Sequence, residues 1–342
     1  MLSILKYLLS SQLINSQKNQ RDKGFTLIEL QVAVILAFLV ITPLLGFMIN
    51  ILDTDRREQA KATSEQEIQT AIDYISRDLE QAIYVYDADG LTRNFNSNPS
   101  LSGIKDQIPP AKEAPGCRDA NECQPILVFW KRKLLEDAIT VPNSTATDNL
   151  DDTFVYSLVA YYLIKDSNTT WSKAARIARF EISDGVQSRD GINCPGYPLE
   201  ERYINGRCPN PGFKRFDLTK VGNNLREKLN QWEAAGSKES PYTQRVDVLV
   251  DYIDQSITSV PPATCPANTN DTTWSIVAPT NMTGFYACVE TRKTLNSRVQ
   301  VFLRGNALAR VQSNNLNYSE NNKTYFPSAS VRVEGRSYLF TR

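Results

Sequence analysis

Lys23-Gly24-Phe25-Thr26-Leu27-Ile28-Glu29 opens the stretch that decides the fold, and the 23 residues after it, 30–52, carry no charged side chain. Residues 25–52 form a run of 28, and Glu29 is its only ionisable side chain. As a helix rising 1.5 Å per residue, such a run is about 42 Å long. That exceeds a hydrocarbon core of about 30 Å. A carboxylate in such a segment is expensive, roughly 2.5–3.5 kcal/mol for an acid at the helix centre, so it points to a function. Pro43 and Gly46 interrupt the run. Pro43 lacks an amide hydrogen and crowds the carbonyl of Leu39, so a kink and a tolerated membrane proline are both compatible.

Two plainer readings of Glu29 stand beside the functional one. Thr26-Leu27-Ile28-Glu29 matches the S/T-x-x-E capping box, in which the two side chains satisfy amides at a helix start. A cap explains Glu29 without a partner, but neither the Gly24-Phe25 junction nor the basic leader before it. A signal anchor carrying a stray acid is the second. An ordinary cleaved signal peptide fits less well, because its apolar region spans 7–15 residues and ends in small side chains.

The run from Gly24 to Gly46, GFTLIELQVAVILAFLVITPLLG, resembles the class III signal of type IV pilins and pseudopilins. The resemblance implies cleavage between Gly24 and Phe25 by a prepilin peptidase, methylation of the new amino terminus at Phe25, and a docking role for Glu29. Further along, Ala287-Cys288-Val289-Glu290 and the segment RVQVFLRGNALAR from Arg298 to Arg310 resemble, more narrowly, the hormogonium polysaccharide secretion pseudopilins of filamentous cyanobacteria. The implied fold is α+β and pilin-like, a long amino-terminal helix packed on an antiparallel β-sheet head with disulfide-bonded loops. The implied function is structural rather than enzymatic: a minor pseudopilin of a type IV pilus-like or type II secretion-like filament, serving polysaccharide secretion and gliding motility. Its partners would be other pilins and pseudopilins, the prepilin peptidase, and the pilus assembly platform with its ATPase.

Chemistry supplies a reason for the acid. Cleavage would leave an ammonium at Phe25, and Glu29 of a neighbouring subunit can pair with it. Breaking such a buried pair leaves an uncompensated charge costing about 3–5 kcal/mol.

Composition excludes several other classes. The 342 residues hold 38 basic and 38 acidic side chains. Without residues 1–24 the counts are 34 and 37, which lacks the basic face that nucleic-acid binding requires. Lys131-Arg132-Lys133 is the one tight basic run and reads as a solvated strand end. Histidine is absent, which removes Ser-His-Asp and Cys-His catalysis and makes the usual zinc sites improbable. No metal or cofactor is expected. Asp87-Ala-Asp-Gly90 and Asp148-Asn-Leu-Asp-Asp152 are acidic turns, and neither fits the EF-hand loop.

The six cysteines all follow the apolar run. An even count in an exported domain suggests disulfides, with 15 possible pairings. The sequential set, Cys117–Cys123, Cys194–Cys208 and Cys265–Cys288, is favoured because each pair brackets a loop rich in Pro, Gly or Asn. Reduced buried thiols are the alternative. Four Lys/Arg precede the apolar run, and Arg56, Arg57 and Lys61 follow it, so the positive-inside rule alone is weak. With the cysteines it gives a single-pass inner-membrane protein, amino terminus cytoplasmic and head periplasmic or extracellular.

The expected organisation is a leader at 1–24, a transmembrane helix at 25–52, an amphipathic extension at 53–86, and a β-rich head at 87–342. Ile68, Ile72, Ile75, Leu79 and Ile83 recur at helical spacing, with charges such as Asp73, Arg77 and Asp78 assigned to the other faces. The helix is expected to end near Tyr86. Residues 90–125 read as loop. Residues 125–130 predict a buried strand, 153–164 a central strand apolar on both faces, and 176–182 its hairpin partner. Residues 246–252 and 298–304 alternate as half-buried strands. Leu225, Leu229 and Trp232 suggest a short helix. Residues 184–245 read as a candidate inserted subdomain. Trp171 and Trp274 are candidates for stacking on sugars, with core or rim packing the plainer role. A competing function is therefore an adhesin-like minor pilin whose head binds a glycan or surface. A membrane-anchored hydrolase is a third.

Overall fold

A computed structural model describes residues 26–140, 150–236, 241–270, 272–291, 298–314 and 316–335. Gly24 and Phe25 lie outside them. The chain divides into two compact units at Asp55/Arg56.

The first unit carries the start of helix α1, Leu27–Glu80. Its apolar window is long and hydrophobic enough to cross a membrane, and none of that window is buried within the chain. The helix continues through Pro43, and Thr42 Oγ1 returns a 2.8 Å hydrogen bond to the carbonyl of Phe38 in the turn before it.

In the second unit, the last turns of α1 bury Ile68, Ile72, Ile75 and Leu79, as the spacing requires. Ile83 departs from that expectation. The helix stops at Glu80, and Ala82–Val85 forms strand β1, buried at every position. Ile83-Tyr84-Val85 are β-branched and aromatic residues that suit a pleated, enclosed surface better than a helical turn. Pairing with the strand Cys123–Thr140 settles the choice.

β2 (Cys123–Thr140), β3 (Leu150–Ile164) and β4 (Ala175–Ser183) follow, and β7 (Asp247–Ile253) completes an antiparallel sheet in the order β1-β2-β3-β4-β7. β3 lies at its centre and is covered on both faces, by α1 where Tyr161 reaches Asp78 and by residues 213–232 where Tyr156 packs on Phe216. In the register Trp130 opposes Leu158, and Leu158 opposes Ile182. A second antiparallel sheet has the order β11-β10-β9-β8. Its strands are β8 (Thr273–Val277), β9 (Phe285–Thr291), β10 (Arg298–Arg304) and β11 (Ser328–Glu334). β10 alternates strictly, with Val299, Val301 and Leu303 buried. The two sheets meet where Ile253 bridges Gly305 and Arg304 Nε donates to the fully buried Asp254 at 2.7 Å. Gly305 is required there, since a Cβ would stand 2.9 Å from Ile68 Cγ1. The architecture is thus α+β, with one long apolar helix and antiparallel sheets.

Residues 184–245 hold a small two-stranded ribbon, β5 (Gln187–Asn193) with β6 (Arg202–Tyr203), and helix α3 (Leu225–Leu229). The short helix α2, Ala88–Thr92, precedes them in the chain. The segment is not a separate unit. Phe213, Leu229, Trp232 and Tyr242 belong to the main core, and Trp130 packs edge-to-face on Phe213, Phe216 and Trp232. All three sequential cysteine pairs are bonded, with Cα separations of 5.6–5.7 Å.

Candidate functional site

Glu29 is the first predicted site residue that the structure describes. It stands in the first turn of α1, and the capping box has formed. Glu29 N donates to Thr26 Oγ1 at 3.3 Å, and Thr26 N and Oγ1 reach Glu29 Oε2 at 3.4 and 3.3 Å. These are long bonds made at an exposed helix start. They satisfy local amides and leave the carboxylate on the surface. The flanking Leu27, Ile28 and Leu30 are exposed, as are Leu36, Phe38 and Phe47 further along. Nothing in the described chain covers this apolar surface.

The head places a different acid indoors. Asp78, expected on the charged face of α1, is 7% exposed. It falls three residues after Ile75 and one before Leu79, on the flank of the apolar stripe. Its carboxylate accepts from Lys131 Nζ at 2.5 Å, Arg179 Nε at 2.8 Å and Tyr161 Oη at 2.7 Å. One helical acid thereby ties together β2, β3 and β4. Lys131 is correspondingly 7% exposed, which corrects the reading of the basic run as a solvated strand end. Glu181 extends the network, 2.7 Å from Arg179 and 3.2 Å from Lys133. Burial pushes the Glu181 carboxyl up, but Arg179, Lys131 and Lys133 outweigh it and hold it down at about 2. A buried charge is tolerated when it is paired and hydrogen-bonded, and Asp78 meets that condition.

The acidic turn at Asp87–Gly90 is also accounted for by side chains. Asp87 caps α2 through Gly90 N and pairs with Arg226 at 2.6 Å. Asp89 pairs with Arg93 at 2.8 Å and with Arg226. Of the second acidic turn, Asp152 accepts from Asp137 N at 3.0 Å, whereas Asp148 lies outside the described residues.

Two clefts border the edge strand β7. One, of about 670 Å³, is lined by Arg118, Asp166, Asn168, Trp171, Arg176 and the start of β7. The other, of about 490 Å³, is lined by Tyr74, Arg179, Glu181 and the same stretch of β7. Arg245, Asp247 and Val248 belong to both. Trp171 is 41% exposed on a pinned loop. Its amide donates to Asn168 Oδ1 at 2.7 Å, and the next residue, Ser172, bonds Asp251 through N and Oγ at 2.8 and 2.7 Å. Arg176 makes a two-pronged pair with Asp166, both contacts 2.6 Å. That hydrogen bonding holds the Asp166 carboxyl below its usual range. Trp171 was legible as a candidate, but the clefts were not. Their walls come from four separate stretches of chain, and no short-range pattern joins those.

Trp274, the other candidate platform, packs against the Arg332 guanidinium at 4.9 Å. No protein-family model matches the chain, and no curated protein or solved structure matches it.

Proposed function

We propose that this protein is a minor subunit of a pilus-like, type IV or type II secretion-like filament. It is processed between Gly24 and Phe25, methylated at Phe25, and anchored by a single pass with its head outside the cytoplasm. The observation that carries the reading is Glu29. It is the sole ionisable side chain of residues 25–52, on a helix whose apolar side chains are exposed along the same stretch. In a lone subunit that surface faces lipid. In a bundle it packs on other such helices, and Glu29 gains the neighbouring amino terminus as counter-ion. The charge pair fixes register along the bundle, because a subunit out of register would leave the carboxylate buried and unpaired. The capping box is compatible with this role, since Thr26 orients the carboxylate at the helix start before assembly.

The chain's part is then structural. Its partners are other pilin-like subunits, the peptidase that removes the leader, and the platform that drives assembly. Polysaccharide is the cargo that the narrower resemblance implies, with gliding motility as its outcome. The disulfide-bonded loops support an extracytoplasmic head, as bridges of this kind persist in oxidising compartments.

Mass spectrometry of the mature amino terminus tests the proposal. N-methylated Phe25 is the expected result. Retention of residues 1–24 in cells with an active processing peptidase overturns it.

A further inference from the structure

We infer that the cleft between α2 and β8 is a binding site for a small monocarboxylic acid with an apolar body, its carboxylate held by Lys105. The inference rests on the head alone and stands independently of the filament assignment.

The cleft has a volume of about 340 Å³. That lies at the small end of ligand sites, which run from about 300 to 1,000 Å³, so it fits a compact molecule and not a polymer. Its walls come from α2, residues 105–111, residues 120–125 and residues 276–280. Leu91, Pro109, Pro110, Ile276 and Val277 make the lining mainly apolar. Ile276 is 43% exposed, a large apolar side chain that a ligand in the cleft would cover. Removing such surface from water is the chief source of affinity for an apolar body.

The walls are fixed before any ligand arrives. Ala88 N donates to Ser275 Oγ at 3.0 Å, which ties α2 to β8. Ile104 N donates to Gly90 O at 2.7 Å, and Lys105 N to Arg93 O at 3.0 Å, so the segment carrying Lys105 is fastened to the end of α2. The Cys117–Cys123 bridge pins a third wall. Pro109, Pro110 and Pro125 have little backbone freedom to lose. A site ordered in advance gives up little affinity to ordering on binding.

Charge selects the ligand. Lys105 is the only charged side chain lining the cleft. No acid among the described residues pairs with it, and the carboxylate next to it in the chain, Asp106, accepts from Phe95 N at 2.9 Å. The clefts beside β7 differ, since each mixes arginines with carboxylates. One unpaired cation beside apolar walls matches one negative charge on an apolar body. A polyanion would find no second cation there, and an amine would meet Lys105 as a like charge.

The test titrates the full-length protein in detergent micelles with 3-phenylpropionate and hexanoate, by isothermal calorimetry, alongside the amide and the amine analogue of each. Ala278→Trp sets an indole at the cleft wall and serves as the blank, because it leaves the micelle and the apolar helix unchanged. At least one acid should bind the parent protein and not Ala278→Trp. Lys105→Gln should weaken that binding by about two- to fivefold, the size of an exposed ion pair. Added salt should weaken it in the parent protein and not in Lys105→Gln. The amide should bind more weakly than its acid, and the amine most weakly. Circular dichroism confirms the fold of both variants. The inference is overturned if neither acid binds, if Ala278→Trp binds as well as the parent protein, if Lys105→Gln leaves the affinity unchanged, or if an amide or amine matches its acid.

Discussion

Asp78 on helix α1 accepts a 2.5 Å hydrogen bond from Lys131 on β2, and this pair fastens the end of the helix to the sheet. Both residues are buried, and Arg179 and Tyr161 complete the shell around the carboxylate. Removing the acid strands the buried Lys131 without its counter-ion and leaves Arg179 with Glu181 alone. Asp78→Ala should therefore cost about 3–5 kcal/mol of stability, read by guanidinium denaturation of the head signal. A loss below 1 kcal/mol, of the size seen for exposed pairs, would show that the network is ornamental.

Acid should weaken the same region through Glu181. Its carboxyl titrates near 2 in the folded chain against an ordinary 4.5. The folded state therefore binds this proton less tightly than the unfolded state does. The contribution is complete above pH 4.5 and is lost as the pH falls through about 2, in keeping with proton linkage. Glu181→Gln should flatten the stability–pH curve across that window, and an unaltered slope would contradict the assignment. Asp184 acts in the opposite sense. Burial raises its carboxyl despite Arg215, so it subtracts stability at neutral pH and less as the pH falls.

Trp130 is the hub through which residues 184–245 join the core. It is fully buried, donates from Nε1 to Tyr86 Oη at 2.9 Å, and meets three aromatic rings from 213–232. Trp130→Ala should cost about 3–5 kcal/mol and open that segment to limited proteolysis before the rest of the head. Uniform digestion would argue against a shared core.

The three bridges close loops of very different span, 6, 14 and 23 residues of separation. In the chain-entropy view their contributions rise with loop length, at about 2.4, 3 and 3.5 kcal/mol. Paired Cys→Ser replacements should follow that order in denaturation midpoint, Cys265/Cys288 losing most. A reversed order would mean that local packing outweighs loop entropy.

Glu29→Gln removes the charge and keeps the shape. The variant should enter the membrane and lose its leader, yet fail to co-purify with partner subunits after crosslinking in cells. Normal co-assembly would refute the pairing role.

Much of the head was legible because burial leaves a periodic trace. The strict alternation of β10, the two-sided apolar run of β3 and the fourfold isoleucine–leucine stripe of α1 each report which face meets the core. The trace failed where a short segment fits two periods. Ile83 continues a helical spacing and also sits in an apolar run, and only the presence of β2 beside it decided for the strand. It failed again at Asp78, because charge alone reads as exposure, although the residue lies on the flank of the stripe.

The sequence by itself determined the membrane-length apolar run with its single acid, the strand pattern and the cysteine framework, all of which are local or repeat at a fixed period. Tertiary structure alone decided which charge is buried, where the helix ends and which stretches of chain wall the clefts beside β7. Those outcomes depend on partners far along the chain, such as Lys131 for Asp78 and Trp130 for Tyr84, and distance through space is not written in neighbouring letters.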